Sequence, residues 1–278
     1  MFFISSIYKR INPFSYINHT QILFLEVSMK TAIITGASSG LGMEYFKVLT
    51  EICPEIEEFW LIARREDKLT ALASANPKVK SFVLPVDLTE KESLLTYEKY
   101  LAEKKPEVTI LINNAGFGKL GDVMELPVFE QRDMVMLNCA ALTAISLMTA
   151  PYMEKGSCII QVSSIAAFSP TPRMSVYSAT KAYVLAFAKA LRRELRKSGV
   201  NVLAVCPGPM ETEFTAVAEI DGKPSLFSVL PRCDVRQVAL KSIMKARKGR
   251  GVYTNRLIYK VYRVLTKLLP DSITMRRL

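Results

Sequence analysis

The sequence predicts a single α/β domain built on a doubly wound parallel sheet, followed by an amphipathic helical tail. Short, nearly all-apolar runs alternate along the chain with longer amphipathic segments. Apolar strands of this kind are buried on both faces, as in a parallel sheet that helices cover on two sides. Regular alternation of strands and helices is typical of the doubly wound arrangement.

The pattern predicts each element in turn. Six strands are expected, at 31–35, 59–63, 80–87, 108–116, 158–164 and 200–208. Five helices are expected between them, at 41–52, 66–75, 90–104, 128–153 and 176–197. Residues 134–153 are uncharged and long enough to span a bilayer, but their polar residues and their place between strands favour a buried helix. Ligands of such folds bind outside the carboxyl ends of the strands, so candidate chemistry is expected there.

Composition excludes several classes of protein. The chain has 278 residues, of which 50% are hydrophobic and 23% charged, enough apolar content for a full core and too much for a disordered protein. Five cysteines without a CxxC pair, and a single histidine, argue against a zinc site and against a disulfide framework. We therefore expect no metal, and a reducing, cytoplasmic location.

The net charge of +11 is concentrated at one end of the chain. Residues 241–278 contain eleven Lys or Arg and one acid, a net +10, which leaves +1 for the rest. A basic tail on a nearly neutral body does not indicate a nucleic-acid partner. The chain is expected to consist of an N-terminal extension (1–28), one α/β domain (29–255) and a basic tail (256–278).

A glycine-rich turn follows the first predicted strand. Gly36, Gly40 and Gly42 lie at the strand-to-helix junction, with the spacing GxxxGxG rather than the GxGxxG of the general dinucleotide fingerprint. Glycine permits a tight turn and lets a pyrophosphate approach backbone N–H groups at a helix N-terminus. For this segment alone, a turn without a ligand remains the alternative.

Several motifs, in order across residues 30–215, make the sequence resemble the short-chain dehydrogenase/reductase family. They are TGASSGLG (35–42), Asp87-Leu88, NNAG (113–116), Asn138, Ser164, YSATK (177–181), and Pro207-Gly208 with Thr212. The resemblance implies a Rossmann fold, hydride transfer between a nicotinamide cofactor and a carbonyl/alcohol pair, and a homodimer or homotetramer formed through helices 134–153 and 176–197.

The resemblance also assigns the residues that contact the cofactor. They are Gly36, Ser38, Ser39, Gly40, Leu41 and Gly42 in the glycine turn, Asp87 and Leu88 near the adenine, Asn113, Ala115 and Gly116 where the cofactor crosses the sheet, Pro207, Gly208 and Thr212 at the nicotinamide, and Tyr177 and Lys181. Taken alone, the pair Asn113-Asn114 has a simple turn as its alternative.

The end of the second strand indicates which cofactor binds. The strand ends in Ala63-Arg64-Arg65, without the acid that would bind a ribose 2′-hydroxyl, and guanidinium groups suit a 2′-phosphate. We therefore expect NADP(H), with Arg64 as the leading contact and Ser39 and Arg65 as helpers. The alternative is that both arginines are only solvated.

Tyr177 and Lys181 are four residues apart and therefore share one helix face. A free tyrosine has a pKa of about 10, and a neighbouring ammonium is expected to lower it and make Tyr177 a general acid/base. By the resemblance, Lys181 also binds the nicotinamide ribose, and Asn138 holds a water that leads to Lys181. Ser164, thirteen residues before Tyr177, orients the substrate oxygen, with Ser163 as the neighbouring alternative.

The tail, at 256–270, predicts an amphipathic cationic helix. Its apolar face comprises Ile258, Val261, Tyr262, Leu265, Leu268 and Leu269, and its basic face Arg256, Lys260, Arg263 and Lys267. Peripheral attachment to an anionic membrane is one interpretation. The other, which we favour because amphipathic surface helices normally face a core, is that the helix packs over the substrate cleft or a partner subunit.

The substrate itself is not encoded in a local motif. Residues 213–232 are expected to form a lid over a small-molecule carbonyl or alcohol, which we expect to be lipophilic: an oxosteroid, a 3-oxoacyl compound or another ketone. A non-catalytic NADP(H)-sensing or lipid-surface binding protein on the same fold is the alternative.

Overall fold

The sheet is the centre of the structure, a computed structural model that describes residues 28–213, 230–270 and 273. All of its strand pairs are parallel, in the order β3-β2-β1-β4-β5-β6-β7. The strands are β1 (Lys30–Thr35), β2 (Glu58–Ala63), β3 (Lys80–Pro85), β4 (Glu107–Asn113), β5 (Cys158–Val162), β6 (Asn201–Val205) and β7 (Val252–Tyr253). The order reverses between β1 and β4, and this switch point is where such sheets bind ligands.

Helices cover both faces of this sheet. They are α1 (Gly40–Ile52), α2 (Glu66–Ser74), α3 (Lys91–Lys104), α4 (Val128–Val135), α5 (Leu142–Thr149), α6 (Ser175–Glu194), α7 (Val235–Arg247) and α8 (Leu257–Leu268). Neighbouring strand residues point to opposite faces: Ile34 packs with the α1 and α7 side chains, and Ile33 with those of α3, α5 and α6. Burial on both sides explains why the strand sequences are almost entirely apolar.

The doubly wound α/β fold expected from the sequence is confirmed. Strands β3 to β6 are shorter than predicted, whereas β1 and β2 each begin one residue earlier than predicted. Predicted strand 108–116, for example, ends at Asn113, because the pairing of β4 with β1 and β5 stops there. The sequence analysis did not predict α7 and β7. The predicted N-terminal extension (1–28) and lid (213–232) lie almost wholly outside the described residues.

The predicted helix 128–153 is helical but not uniform. A π-helical turn (Met136–Ala141) joins α4 to α5, and a 3₁₀ turn (Ala150–Tyr152) ends the stretch. Within the described residues, Val128–Tyr152 is the one helical stretch that is long and apolar enough to cross a membrane. One of its faces, with Ile145 and Thr149, is buried in the core that contains β4, as expected of a core helix.

The tail forms the predicted helix, α8, and packing of its apolar face on a partner subunit stays a prediction. Of the predicted apolar face, one side chain, Tyr262, packs on the domain. The others are exposed: Ile258, Val261, Leu265, Leu268 and Leu269. The side chains that α8 turns toward the domain are Tyr259, which is buried, and Tyr262, which is half-buried. Leu257, Val264 and Leu268 are exposed, because the face carrying the two tyrosines supplies the packing instead.

Candidate active site

A cleft of about 410 Å³ opens where the strands end at their carboxyl edge. Most of the residues predicted for the site line it: Gly36, Ser38, Ser39, Gly40, Leu41, Arg64, Arg65, Asp87, Leu88, Ala115, Gly116, Ser164, Tyr177, Lys181, Pro207, Gly208 and Thr212. Gly42, Asn113 and Asn138 are not among its lining residues.

The glycine turn forms one wall of this cleft. Gly36 and Gly40 have positive φ angles of 68° and 51°, which favour glycine. A Cβ on Gly42 would lie 2.1 Å from the carbonyl oxygen of Gly36, so Gly42 lets α1 pack closely on the turn. The first turn of α1 carries no acid, so its N–H groups and positive dipole end remain suited to a phosphate.

Two adjacent asparagines after β4 have different roles. Asn113 is buried and its Nδ2 donates to Ser146 Oγ at 2.9 Å, which ties β4 to α5. Asn114 lines the cleft, and its Nδ2 donates to the carbonyl oxygens of Thr35 and Gly36, each at 3.2 Å. Asn114, which was not among the predicted site residues, therefore lines the cleft where Asn113 was expected.

Ser164, Tyr177 and Lys181 converge at one end of the cleft. Tyr177 and Lys181 lie on consecutive turns of α6, and both are nearly buried. Lys181 Nζ lies 5.7 Å from the centre of the Tyr177 ring and donates to the carbonyl oxygen of Val162 at 3.0 Å. Ser164 hydrogen-bonds Tyr177, whereas Ser163 Oγ donates to the carbonyl oxygen of Lys181 at 2.7 Å. The geometry thus favours Ser164 over Ser163 as the substrate-facing serine.

Burial has the largest effect on the pKa values of Tyr177 and Lys181. It raises the pKa of Tyr177 to about 12, against the opposing effect of the Ser164 hydrogen bond, and lowers the pKa of Lys181 to about 8. The expected lowering of the Tyr177 pKa by the neighbouring ammonium is therefore not found. The phenol keeps its proton at neutral pH, so Tyr177 is suited to donate a proton.

Asn138 stands behind the cleft wall, in the π-helical turn between α4 and α5. Its Oδ1 accepts from the backbone N–H of Phe117 at 3.1 Å, and its Nδ2 donates to the Phe117 carbonyl at 2.9 Å and to Thr180 Oγ1 at 3.1 Å. These bonds fix the segment after β4 against α6, beside Lys181. The role of Asn138 in holding a water remains a prediction.

Arg65, which follows β2, and Lys68 on α2 form with Ser39 a cluster that binds a carboxylate, named the anion site. Glu213 pairs at 2.8 Å with both Arg65 and Lys68, and also hydrogen-bonds Ser39. Hydrogen bonds from Lys68 and Arg65 hold the pKa of Glu213 at about 2. Arg64, the expected leading contact, is more exposed and lies 3.7 Å from Asp87. The sequence analysis missed Lys68, although its position three residues after Arg65 could have indicated a second cation.

Apolar side chains from four separate segments line the rest of the cleft. They are Phe117, Leu120, Leu137, Met174 and Met210. Three of them, Phe117, Leu120 and Met174, pack in one cluster with Tyr177. No local motif marks these residues, because only the fold brings their segments together.

Together, the parallel sheet with its ligand cleft at the switch point and the Ser–Tyr–Lys group beside it define an oxidoreductase of the Rossmann type. The sequence profile described as short chain dehydrogenase matches residues 30–221. The chain belongs to this short-chain dehydrogenase/reductase family, as the sequence motifs predicted.

Relatives agree with this assignment. An uncharacterized oxidoreductase of Staphylococcus epidermidis is 31% identical over 193 residues, 68% of this chain and 82% of the relative. A short-chain dehydrogenase from Sphingobium yanoikuyae, solved in complex with NADPH, has a TM-score of 0.73 and 27% identity over 90% of this chain and 100% of that chain. A bulky-bulky ketone specific alcohol dehydrogenase from Comamonas testosteroni has a TM-score of 0.69 and 28% identity over 87% and 92% of the two chains.

Proposed function

We propose that this protein uses NADP(H) to reduce a lipophilic ketone to a secondary alcohol. The observation that carries the proposal is the convergence of Ser164, Tyr177 and Lys181 at the apolar end of a cleft whose opposite end has phosphate-binding features. Two relatives support it: the Comamonas testosteroni protein is specific for bulky ketones, and the Sphingobium yanoikuyae protein binds NADPH.

Ser164, Tyr177 and Lys181 have different roles in the proposed reaction. NADPH, when bound, supplies the hydride that reduces the carbonyl carbon. Ser164 donates a hydrogen bond to the carbonyl oxygen and orients it. Tyr177 donates its proton to that oxygen, because an alkoxide is a stronger base than the phenolate left behind. Lys181, one helical turn away, stabilises the resulting phenolate by its positive charge.

The anion site supports the choice of NADP(H). Arg65, Lys68 and Ser39 already bind a carboxylate, that of Glu213, beside the glycine turn. A ribose 2′-phosphate offers oxygens of the same kind and more charge, so these three side chains would hold it by displacing Glu213. Arg64, exposed at the same strand end, can add a second guanidinium.

We expect Arg65→Ala to weaken NADPH binding about 10- to 100-fold, the range for losing charged hydrogen bonds, and to leave NADH binding almost unchanged. Glu213→Gln is expected to strengthen NADPH binding, because it removes a carboxylate that competes with the 2′-phosphate. Titration calorimetry with NADPH and with NADH measures both effects.

Arg132→Ala is the matched control, because Arg132 is also an exposed arginine beside a carboxylate but lies on α4, outside the residues that line the cleft. Equal loss of NADPH and NADH affinity in Arg65→Ala, or a wild-type preference for NADH, would contradict the NADP(H) proposal.

The pKa of Lys181 predicts how the reaction depends on pH. Because that pKa is lowered to about 8 in the free protein, the ammonium loses its proton as the pH rises through this value. We expect kcat/KM for NADPH in ketone reduction to be level below this pH and to fall above it. A profile that stays level through pH 9, or one that rises there, would show that the Lys181 charge is not required.

A carbonyl panel tests the substrate class. Ketones with two bulky substituents, oxosteroids and 3-oxoacyl thioesters are compared with short ketones by NADPH oxidation. We expect the bulky and lipophilic compounds to have the highest kcat/KM, because the cleft wall near Tyr177 is apolar. Higher kcat/KM for the short ketones would contradict a lipophilic substrate.

We also propose that the chain forms a homodimer through α4, α5 and α6. Val135, Leu147 and Tyr183 are large apolar or aromatic side chains on these helices, and each is more than two-fifths exposed. Covering them with a second copy would remove apolar surface from water.

A further inference from the structure

Helix α8 presents three different faces. Tyr259, Tyr262 and Thr266 are buried or half-buried on the face toward the domain. Seven large apolar side chains, between 38% and 75% exposed, form an outward stripe: Leu257, Ile258, Val261, Val264, Leu265, Leu268 and Leu269. Lys260 and Lys267, both exposed, border the stripe next to Val264, at positions i−4 and i+3.

The contacts of the inward face keep this stripe turned away from the domain. The Tyr259 hydroxyl donates to the Pro231 carbonyl oxygen at 2.6 Å, and its ring lies against Gly208, where an added Cβ would be 2.2 Å away. The Tyr262 ring packs on Phe168, with ring centres 6.1 Å apart. Since Gly208 lines the cleft and Phe168 belongs to the turn after Ser164, α8 is attached to the wall of the active site.

A basic groove continues from α8 toward α7. It has a volume of about 610 Å³, and its lining includes five cations: Lys241, Lys245, Lys248, Arg256 and Lys260. Asp234 is the one acid among the lining residues, and its carboxylate accepts from the backbone N–H of Gln237 to cap α7. The groove is therefore strongly positive beside an apolar surface.

We propose that α8 docks the protein on an anionic lipid surface. The outward stripe would enter the boundary between headgroups and acyl chains, while the cations of α8 and the groove bind headgroup phosphates. Charge favours this occupant over a second copy of the chain: the copy would carry the same net charge of +11 and set this cationic surface against another. Docking does not depend on catalysis, but its consequence, access of membrane-dissolved ketones to the attached cleft, rests on the proposed function.

Co-sedimentation of the full chain with vesicles tests the proposal. We expect binding to mixed phosphatidylcholine–phosphatidylglycerol vesicles, weak binding to pure phosphatidylcholine, and release by high salt. Lys260→Gln/Lys267→Gln is expected to bind about 30-fold more weakly, since each basic residue contributes about fivefold. Val261→Ser/Leu265→Ser/Leu268→Ser is expected to lose more than tenfold, because the buried CH₂ groups are removed.

The matched control is Leu95→Ser/Lys99→Gln, which removes an exposed leucine and an exposed lysine from α3 and is expected to bind as wild type. Unchanged melting temperatures and NADPH affinities show that the variants are folded.

Three outcomes overturn the docking proposal. They are no binding of the wild type to anionic vesicles, full binding by the triple variant, and conversion of an oligomer to a monomer by the triple variant without vesicle binding, seen by analytical ultracentrifugation. Vesicle binding by a chain that reduces no carbonyl would instead contradict only the proposed function.

Discussion

Replacing Tyr177 with phenylalanine is expected to lower ketone reduction about 10²- to 10⁴-fold, the usual contribution of a positioned general acid. NADPH affinity is expected to change less than about threefold, because the phenylalanine ring keeps the buried volume and removes only the hydroxyl. In the proposed mechanism the phenol is the proton donor: burial raises its pKa and keeps it protonated, and Ser164 hydrogen-bonds it at the end of the cleft. Turnover and NADPH binding, measured on the same preparation, separate catalysis from folding.

Tyr183→Phe is the matched control for this variant. Tyr183 lies on the same helix, but its hydroxyl hydrogen-bonds Thr143 on the exposed side of α6, away from the cleft. We expect its turnover to match that of the wild type. If Tyr177→Phe kept most of the wild-type turnover, or lost NADPH affinity by the same factor as turnover, Tyr177 would not be the acid.

Gly42→Ala is expected to weaken NADPH binding about 10- to 100-fold, the range for losing charged hydrogen bonds to the phosphates. An added Cβ would lie 2.1 Å from the Gly36 carbonyl oxygen and 2.6 Å from Asn114 Nδ2, so α1 or the glycine turn has to move. Replacing a helical glycine with alanine usually stabilises a protein by about 0.5–1 kcal/mol. Here the clash of the added Cβ outweighs that stabilisation, because overpacking of this kind costs about 1–3 kcal/mol. Urea unfolding and NADPH titration measure the two effects.

Gly251→Ala provides the comparison. Gly251 has an ordinary backbone φ, and the atoms nearest to an added Cβ belong to the Arg192 side chain, at 3.0 Å and beyond, and not to the backbone. Its stability is expected to change by less than about 0.5 kcal/mol, with no effect on NADPH. A Gly42→Ala variant that binds NADPH as tightly as wild type would mean that the glycine turn is not the phosphate cradle.

The sequence predicted the fold because buried parallel strands are recognisable as apolar runs, as in β1 and β5. Helix α7 and strand β7 were missed, since β7 has only two residues and its place beside β6 depends on pairing far along the chain. The apolar stripe of α8 was recognised correctly. The side chains by which α8 packs on the domain were not predicted, because periodicity finds an apolar face but does not tell that tertiary contacts will bury Tyr259 and Tyr262.

The site residues that belong to local sequence motifs could be predicted from the sequence. Ser164, Tyr177 and Lys181 line the cleft as predicted, and so do both arginines at the end of β2, whereas Asn113 is buried and its neighbour Asn114 lines the cleft instead. Adjacent residues at a strand end point to opposite sides, and motif spacing does not fix which one enters the cleft. Burial reversed the expected shift in the Tyr177 pKa, an effect that only the three-dimensional environment determines.

Transfer of deuterium from NADPH that carries deuterium at both nicotinamide C4 positions tests whether this chain reduces a carbonyl by hydride transfer. The wild-type chain is incubated with the labelled cofactor and the best ketone of the carbonyl panel, and the alcohol is analysed by mass spectrometry. We expect one deuterium on the carbinol carbon of the alcohol that wild type forms, and almost no labelled alcohol with Tyr177→Phe. Tight binding of NADPH with no labelled alcohol from any carbonyl of the panel would contradict the proposed hydride transfer.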